Sequence, residues 1–368
     1  MQLVQGPFCR ISWHDINLNS SAQVKNYLLG QGWQPTEWNI KKEGREFIKT
    51  SPKLTEDSFD SVDGDVPKLV ARRAILTHRQ RMLKNTRRDG EESGWLNNLR
   101  EDGRLEARAI PNATNTGRFR HSGVVNVPNP YAVYGNDIRS LFIAPDNYVF
   151  VGVDAAALEA RIQAHYVFPY PGGQELADLL LHGDIHTENQ TLWGMPERND
   201  AKSPYFAVMY GAQPQKLAET MKCSVWEATK RYEDFWESYT ALNEFKKTIT
   251  QVWESRGGKT GGFLKGLDGR KLFARSPHSL VNLMFQSGGS IVVKLATVLV
   301  DKWCEKRNLR SYQVIHYHDE FTRETHKDDA EEVKELMELA FKTAGEYFNL
   351  NIPIVGSAKI GRSWAECH

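Results

Sequence analysis

The sequence predicts an α+β fold in which a strand-bearing core is interrupted by a long helical insertion. Three observations carry this reading. The apolar run YVFVGVD at 148–154 reads as a buried strand. SYQVIHYH and FTRETH, at 311–318 and 321–326, read as two strands around a turn, followed by a helical pattern and the strand-like IPIVGSAKIG. Between them lie helical patterns such as VWEATKRYEDFWESYTALNEFKKTITQVWESR, closed by GGKTGG.

Taken in order, residues 1 to about 100 are polar, with turn-rich patches SVDGDVP and RRDGEESG. They hold a helix opened by Pro67, because proline suits a first helical turn. Arg72, Arg73, Arg79, Arg81, Lys84, Arg87 and Arg88 follow with no acid among them. Leu69, Val70, Ile75, Leu76, Met82 and Leu83 give this helix an apolar side, so the cations are expected to crowd the remaining surface. By itself that describes a solvated face. From about 100 to 165, the Gly, Pro and Asn punctuation of PNATNTGRFRHSGVVNVPNP leads into the buried strand and then the helix formers of DAAALEARIQAHY. The last stretch opens on the helix SIVVKLATVLVDKWCEK.

The 368 residues allow two to three domains. Hydrophobic residues are 40% and charged residues 25%, and no uninterrupted apolar run approaches the ~18 residues of a bilayer span, so no membrane role is expected. MQLVQGPFCR lacks the basic start and apolar stretch of a signal peptide, which points to a reducing cytoplasm. Cys9, Cys223, Cys304 and Cys367 are dispersed, arguing for free thiols rather than disulfides or a Cys-rich zinc site. A formal net charge of +1 leaves any phosphate binding to local clusters.

Three segments carry chemistry. The first strand delivers Asp154 at its end, where an Asp by itself ordinarily caps a helix. The second segment sets His318, Asp319 and Glu320 at a hairpin tip, where an Asp by itself ordinarily bonds its own turn. Two acids on neighbouring strands would make an oxygen-rich pair suited to Mg²⁺, which takes carboxylates together with substrate phosphates. Two such ions suit an in-line phosphoryl transfer. In the third segment, ERNDAKSPYFAVMYGA, Arg198, Lys202, Phe206 and Tyr210 recur every four residues and share one helical stripe. Its cations suit a triphosphate and its aromatics a base or sugar.

In this order the segments resemble family A DNA polymerases, especially the replicative polymerases of short-tailed bacteriophages. DAAALEAR is similar to that family's first carboxylate motif, Arg198 to Gly211 to its fingers helix, and His318-Asp319-Glu320 to its second carboxylate motif. TGRFRHS with NVP, HGDIHTENQ, KGLDGRK, RSPH, VNLMFQSGG and WAECH agree, so the likeness runs from about residue 15 to the end. The resemblance implies a right-hand polymerase architecture with an antiparallel-sheet palm, helical fingers and a partial helical thumb. Its implied boundaries are thumb and DNA-binding region 1–100, palm 101–165, fingers 166–285 and palm again 286–368.

It also implies roles. Asp154, Asp319 and the Ala155 carbonyl would bind two Mg²⁺, with Glu320 a supporting acid. Arg198 and Lys202 would grip the dNTP phosphates near His186, Lys202 also protonating the departing pyrophosphate. Glu159 and Phe206 would shape a deoxyribose pocket and Tyr210 would close it against the templating base. Arg118, Arg275, Asn282, Gln286 and His318 would meet the primer-template duplex, where a minor groove reports pair shape rather than sequence. The basic helix becomes a duplex clamp. Glu159 and the acid after Asp319 favour DNA over RNA synthesis, and intact ligands and phosphate grips disfavour a silent DNA-binding remnant.

Two departures stand out. Pro204 sits two residues after Lys202, where proline should delay or kink a helix, and Ala156 and Ala157 replace residues often polar in relatives. Only about 100 residues precede TGRFRHS, too few for a proofreading domain of ~150 residues or more. Asp89-Gly90-Glu91 reads as a turn. The chain is therefore expected to lack a 3′–5′ exonuclease, with a separately encoded exonuclease or thumb subunit, or a processivity factor, as an expected partner.

Overall fold

A computed structural model describes residues 15–35, 37–43, 46–55, 58, 61–86 and 89–367. Cys9, Arg87 and Arg88 lie outside the described residues. The chain divides into two compact units, one of residues 1–106 with 126–138, the other of 107–125 with 139–368.

The first unit contains helix α1 (Ser21–Gly30), the hairpin β1 (Trp38–Glu43) and β2 (Glu46–Pro52), helix α2 (Asp65–Leu83), and the short pair β3 (Asn85–Thr86) and β4 (Glu92–Ser93). Ser20 caps α1 by accepting from the Gln23 N–H. Helix α2 starts two residues before Pro67, and its buried stripe is Pro67, Ala71, Ile75 and Arg79, one residue per turn. The expected apolar side is corrected accordingly. Leu69 and Leu76 are exposed, and the stripe ends on a buried arginine. Arg79 Nε donates to the Val133 carbonyl at 3.3 Å, Arg72 to the Tyr134 hydroxyl at 3.0 Å, and Arg73 to the Leu18 carbonyl at 2.7 Å. Those three cations hold their own unit together, leaving fewer for a duplex than a sequence count gives.

The second unit begins with the short pair β5 (Arg108–Ile110) and β6 (Arg120–Ser122); α3 (Gly135–Ser140) starts in the first unit and ends in the second, which continues with β7 (Tyr148–Ala155) and α4 (Leu158–Val167). The helical insertion comprises α5 (Gly173–His182), α6 (Ile185–Trp193), α7 (Arg198–Met209), α8 (Pro214–Met221), α9 (Val225–Ser238) and α10 (Thr240–Ser255). The long helical pattern read from sequence thus breaks at Tyr239, between α9 and α10. The pair β8 (Phe263–Lys265) and β9 (Lys271–Phe273), the long α11 (Leu280–Lys306), β10 (Ser311–Tyr317), β11 (Glu320–His326), α12 (Ala330–Tyr347) and β12 (Gly356–Gly361) complete it.

Four strands form one antiparallel sheet in the order β10-β11-β7-β12. Strand alternation puts Val151, Val153 and Phe321 on a face covered by α12, where the Phe321 and Phe341 rings lie 5.9 Å apart and both are fully buried. Each such side chain contributes about 1.5–3 kcal/mol by leaving water. The other face carries Gly152 and Asp154, and a Cβ at Gly152 would meet the Cys367 Cβ at 2.6 Å, so glycine is required there. Helix α11 lies against α4 through Gly288, where an added Cβ would sit 2.9 Å from Ile162. By length and composition alone the helix at 277–306 would suffice to cross a membrane, although polar residues and glycines interrupt its apolar runs as the sequence reading had it. In this fold 61% of its most apolar window is buried in the core.

Candidate active site

Strand β7 and the hairpin β10–β11 bring the two expected acids to one place. Asp154 is the penultimate residue of β7, directly opposite Glu320 of β11 in the ladder. A two-residue turn, His318-Asp319, joins β10 to β11, with His318 at φ 55°. The Ala155 N–H donates to the Asp319 carbonyl at 3.3 Å, tying the end of β7 to that turn. Asp154 does not cap the following helix. Ala157 occupies the cap position of α4 at φ 49° with no side-chain cap bond, so the ordinary reading of this Asp does not apply.

Glu320 lies in the strand rather than in the turn expected for it, and it is buried. It accepts from Trp364 Nε1 at 3.1 Å and pairs with Arg139 at 3.6 Å. The Arg139 guanidinium sits over the Trp364 ring, 4.2 Å from its centroid. Removing one partner from such a buried pair costs about 3–5 kcal/mol, so Glu320 is held firmly beside Asp154.

Asp154, Ala155, Ala157, Glu159, Asp184, His186, Arg198, Phe206 and Asp319 line one cleft of about 450 Å³. Lys202 and Tyr210 are exposed on the same face of α7 as Arg198 and Phe206. Helix α7 runs from Arg198 to Met209 with Pro204 inside it, so it does not begin after the proline, which corrects the expected delay. Ala201, Pro204, Tyr205, Val208 and Met209 form its buried stripe, and packing of that stripe outweighs the hydrogen bond that proline cannot make. Tyr210 follows the last turn and donates to Glu159 Oε2 at 3.4 Å. Gly211 then turns at φ 87°, where a Cβ would meet the His278 carbonyl at 2.2 Å.

The electrostatics follow from the geometry. Burial raises the Glu159 carboxyl and Asp319 adds to the rise, while Arg118 and the Tyr210 hydroxyl oppose it. Arg118 also faces Asp319 at 3.8 Å. Arg198 forms a two-pronged pair with Asp184, one prong at 3.0 Å. That pair holds the Asp184 carboxyl well below the usual carboxylate range. Asp184 also caps α6, accepting from the His186 and Thr187 N–H groups. Sequence reasoning missed Asp184, whose signal was its place just before the helix IHTENQTLW. Burial lowers His186, and Arg198 and Lys202 add to that effect.

Arg118, Gln286 and His318 meet in a second hollow of about 350 Å³, lined also by Phe119, His121, Ser290 and His316. Asn282 lies one turn before Gln286 on α11, its Oδ1 buried with no hydrogen-bond partner among the described residues. Arg275 is exposed and does not line this hollow. The i+4 series from Asn282 and Gln286 continues to Ser290 and Lys294, which donate to the Gly117 carbonyl at 2.8 and 2.6 Å. That continuation was legible in the sequence; the inward placement of His121 and His316 was not.

His316 packs at a tilt against Phe119, ring centroids 4.1 Å apart, and burial, with His121, Lys294 and His318 nearby, pushes it down to about 3. The unfolded chain therefore takes up this proton first, near the ordinary value of about 6.5. The stability His316 contributes is full above that value and is lost as pH falls towards 3. Urea unfolding should show a decline of at most about 1.4 kcal/mol per pH unit from this group. His316→Phe should flatten that acid limb, and an unchanged limb would contradict the assignment.

Residues 3–366 match the family model described as DNA polymerase family A. The chain belongs to that family. Among its relatives, the DNA-directed DNA polymerase of Enterobacteria phage T3 is 26% identical, with 98% of this chain and 54% of that protein covered. The DNA-directed DNA polymerase of Escherichia phage Phieco32 is 28% identical over 94% of this chain and 69% of the relative. The chain spans about half the length of the T3 and T7 polymerases that it matches. A solved structure, the POL domain of Pol1 from M. smegmatis in complex with DNA primer-template and dNTP, superposes with a TM-score of 0.71 at 21% identity, covering 96% of this chain and 62% of that one. The family A fold is therefore the α+β polymerase fold expected from sequence.

Proposed function

We propose that this chain extends a primer 3′ end on a DNA template with dNTPs by two-metal nucleotidyl transfer. The observation that supports the reading best is the delivery of Asp154 and Asp319, by β7 and the β10–β11 turn, into the cleft that Arg198 and Phe206 also line. Two carboxylates and the Ala155 carbonyl form an all-oxygen donor set suited to Mg²⁺. Among the described residues no group of three or more His, Cys, Asp or Glu is placed to hold a metal ion, and Mg²⁺ commonly takes one or two carboxylates together with substrate phosphates. When bound, the ions would supply activation of the attacking hydroxyl and stabilisation of the departing oxygen.

The chain's own residues do the rest. Arg198 and Lys202 hold the triphosphate near His186, and Lys202 gives a proton to pyrophosphate. Glu159 and Phe206 bound the sugar, with the stem of Glu159 against a 2′-hydroxyl, and Tyr210 closes the base side. Glu320, held by Arg139 and Trp364, steadies the metal-binding end of the sheet. Arg118, Asn282, Gln286, His318 and the exposed Arg275 meet the duplex. In this reading 101–165 and 286–368 are palm, 166–285 fingers and 1–100 part of a thumb, and the protein works in a bacterial cytoplasm, assisted by a separate exonuclease, thumb or processivity subunit.

Asp89 accepts from the Glu91 N–H at 3.1 Å within a turn, which supports reading these two acids as structural rather than as an exonuclease pair. The test is an end-labelled primer-template with Mg²⁺ and either dNTPs or rNTPs, beside the same template with a mismatched primer. Extension by dNTPs without shortening of the mismatched primer is expected. No extension, or extension by rNTPs alone, would overturn the reading.

A further inference from the structure

The buried stripe of α7 holds a polar contact that neither the metal site nor the phosphate grip uses. Tyr205 and Gln163 are each 3% exposed. The Tyr205 hydroxyl donates to Gln163 Oε1 at 2.8 Å, and Gln163 Nε2 in turn meets Met209 Sδ at 3.6 Å, a weak acceptor. Burial pushes the Tyr205 hydroxyl well up, so it stays a donor throughout the working pH range. Both side chains reach the wall of the Asp154 cleft.

The neighbours of this pair give it meaning. Gln163 lies one turn after Glu159 on α4, so both occupy one face of that helix. Tyr205 immediately precedes Phe206 on α7, with their rings edge-to-face at 5.4 Å, and His186 packs on both rings at 5.4 and 5.6 Å. The bond therefore joins the helix that carries one proposed wall of the sugar pocket to the helix that carries the other. Tyr210, just past the end of α7, adds a longer contact to Glu159 on α4 at 3.4 Å. Apolar packing is non-directional and lets helices slide by fractions of an ångström. A buried hydroxyl–amide bond is directional, and leaving either group unpaired in an apolar setting is unfavourable, so one register of α7 on α4 is selected.

We propose that the Tyr205–Gln163 hydrogen bond is a specificity-determining link that sets the gap between Glu159 and Phe206 and so the rejection of ribonucleotides. The inference rests on the sugar-pocket reading above and names two positioning residues that act through Glu159 and Phe206. Tyr205→Phe removes one oxygen, and Gln163→Met keeps the length and volume of the side chain. The readout is the ratio of kcat/KM for dNTP to that for the matching rNTP, in the wild type, both single variants and the double variant, each checked for a cooperative thermal transition. Each single variant should lower the ratio about tenfold, mainly by gaining rNTP use, and the double variant should fall no further, since one bond is lost in all three. Folded variants whose ratio stays within about twofold of wild type, or whose losses multiply in the double variant, would overturn the link. A wild type that extends primers without discriminating against rNTPs would instead overturn the sugar-pocket reading, and this inference with it.

Discussion

Asp154→Ala and Asp319→Ala each lower primer extension by about 10³-fold or more, while primer-template affinity stays within a few-fold of wild type. The carboxylates would act on charge that develops only as the 3′-oxygen attacks and pyrophosphate departs, so their loss falls on the transition state rather than on ground-state binding. Duplex affinity comes mainly from phosphate contacts elsewhere. Asp154 caps no helix and the Asp319 bond to Ala155 uses only its backbone carbonyl, and a cooperative thermal transition in each variant checks that the fold survives. Single-turnover extension beside a binding titration separates the two effects. A variant that kept more than about a tenth of the wild-type rate would remove the two-metal assignment.

Phe206→Tyr raises incorporation of dideoxynucleotides by about 10²-fold or more, with little change in dNTP use. Phe206 is half-buried on the cleft wall, its ring 5.6 Å from His186 and 6.1 Å from Tyr210. A phenyl ring offers no substitute for a missing 3′-hydroxyl, so the enzyme should discriminate strongly. A tyrosine hydroxyl at this position restores a polar group where the substrate lacks one, and discrimination of this kind depends on whether buried polar groups find partners. Competition between dideoxy and deoxy nucleotides on one template measures the ratio directly. Equal acceptance by both proteins would refute this account of the pocket.

The phosphate side of the cleft differs from what residue types alone suggest. Arg198 and Lys202 were legible as a cationic pair, yet Arg198 is engaged with Asp184. The pair is exposed, and solvent-screened pairs of this kind hold only weakly, so in the proposed reading a triphosphate would draw Arg198 away from Asp184 or share it.

What the sequence by itself determined were features that repeat locally or depend on residue type. The apolar run ending at Asp154, the paired strands around His318-Asp319 and the four-residue spacing of Arg198, Lys202, Phe206 and Tyr210 follow from backbone periodicity, and each element formed where its period placed it. Together with the motif order, they sufficed to identify the family and its fold. Only the tertiary structure decided which side of an element is buried and who partners whom. Helix α2 buried Arg79 and exposed Leu69 because its contacts, not its composition, chose the inward stripe. Pro204 stayed inside α7 because five packed side chains outweigh one missing N–H. Glu320 turned into an ion pair with Arg139, and Tyr205 found Gln163, across separations of 181 and 42 residues. No local pattern encodes such pairings, because the energy that selects them arises only when distant segments exclude water together and each buried polar group must find its partner.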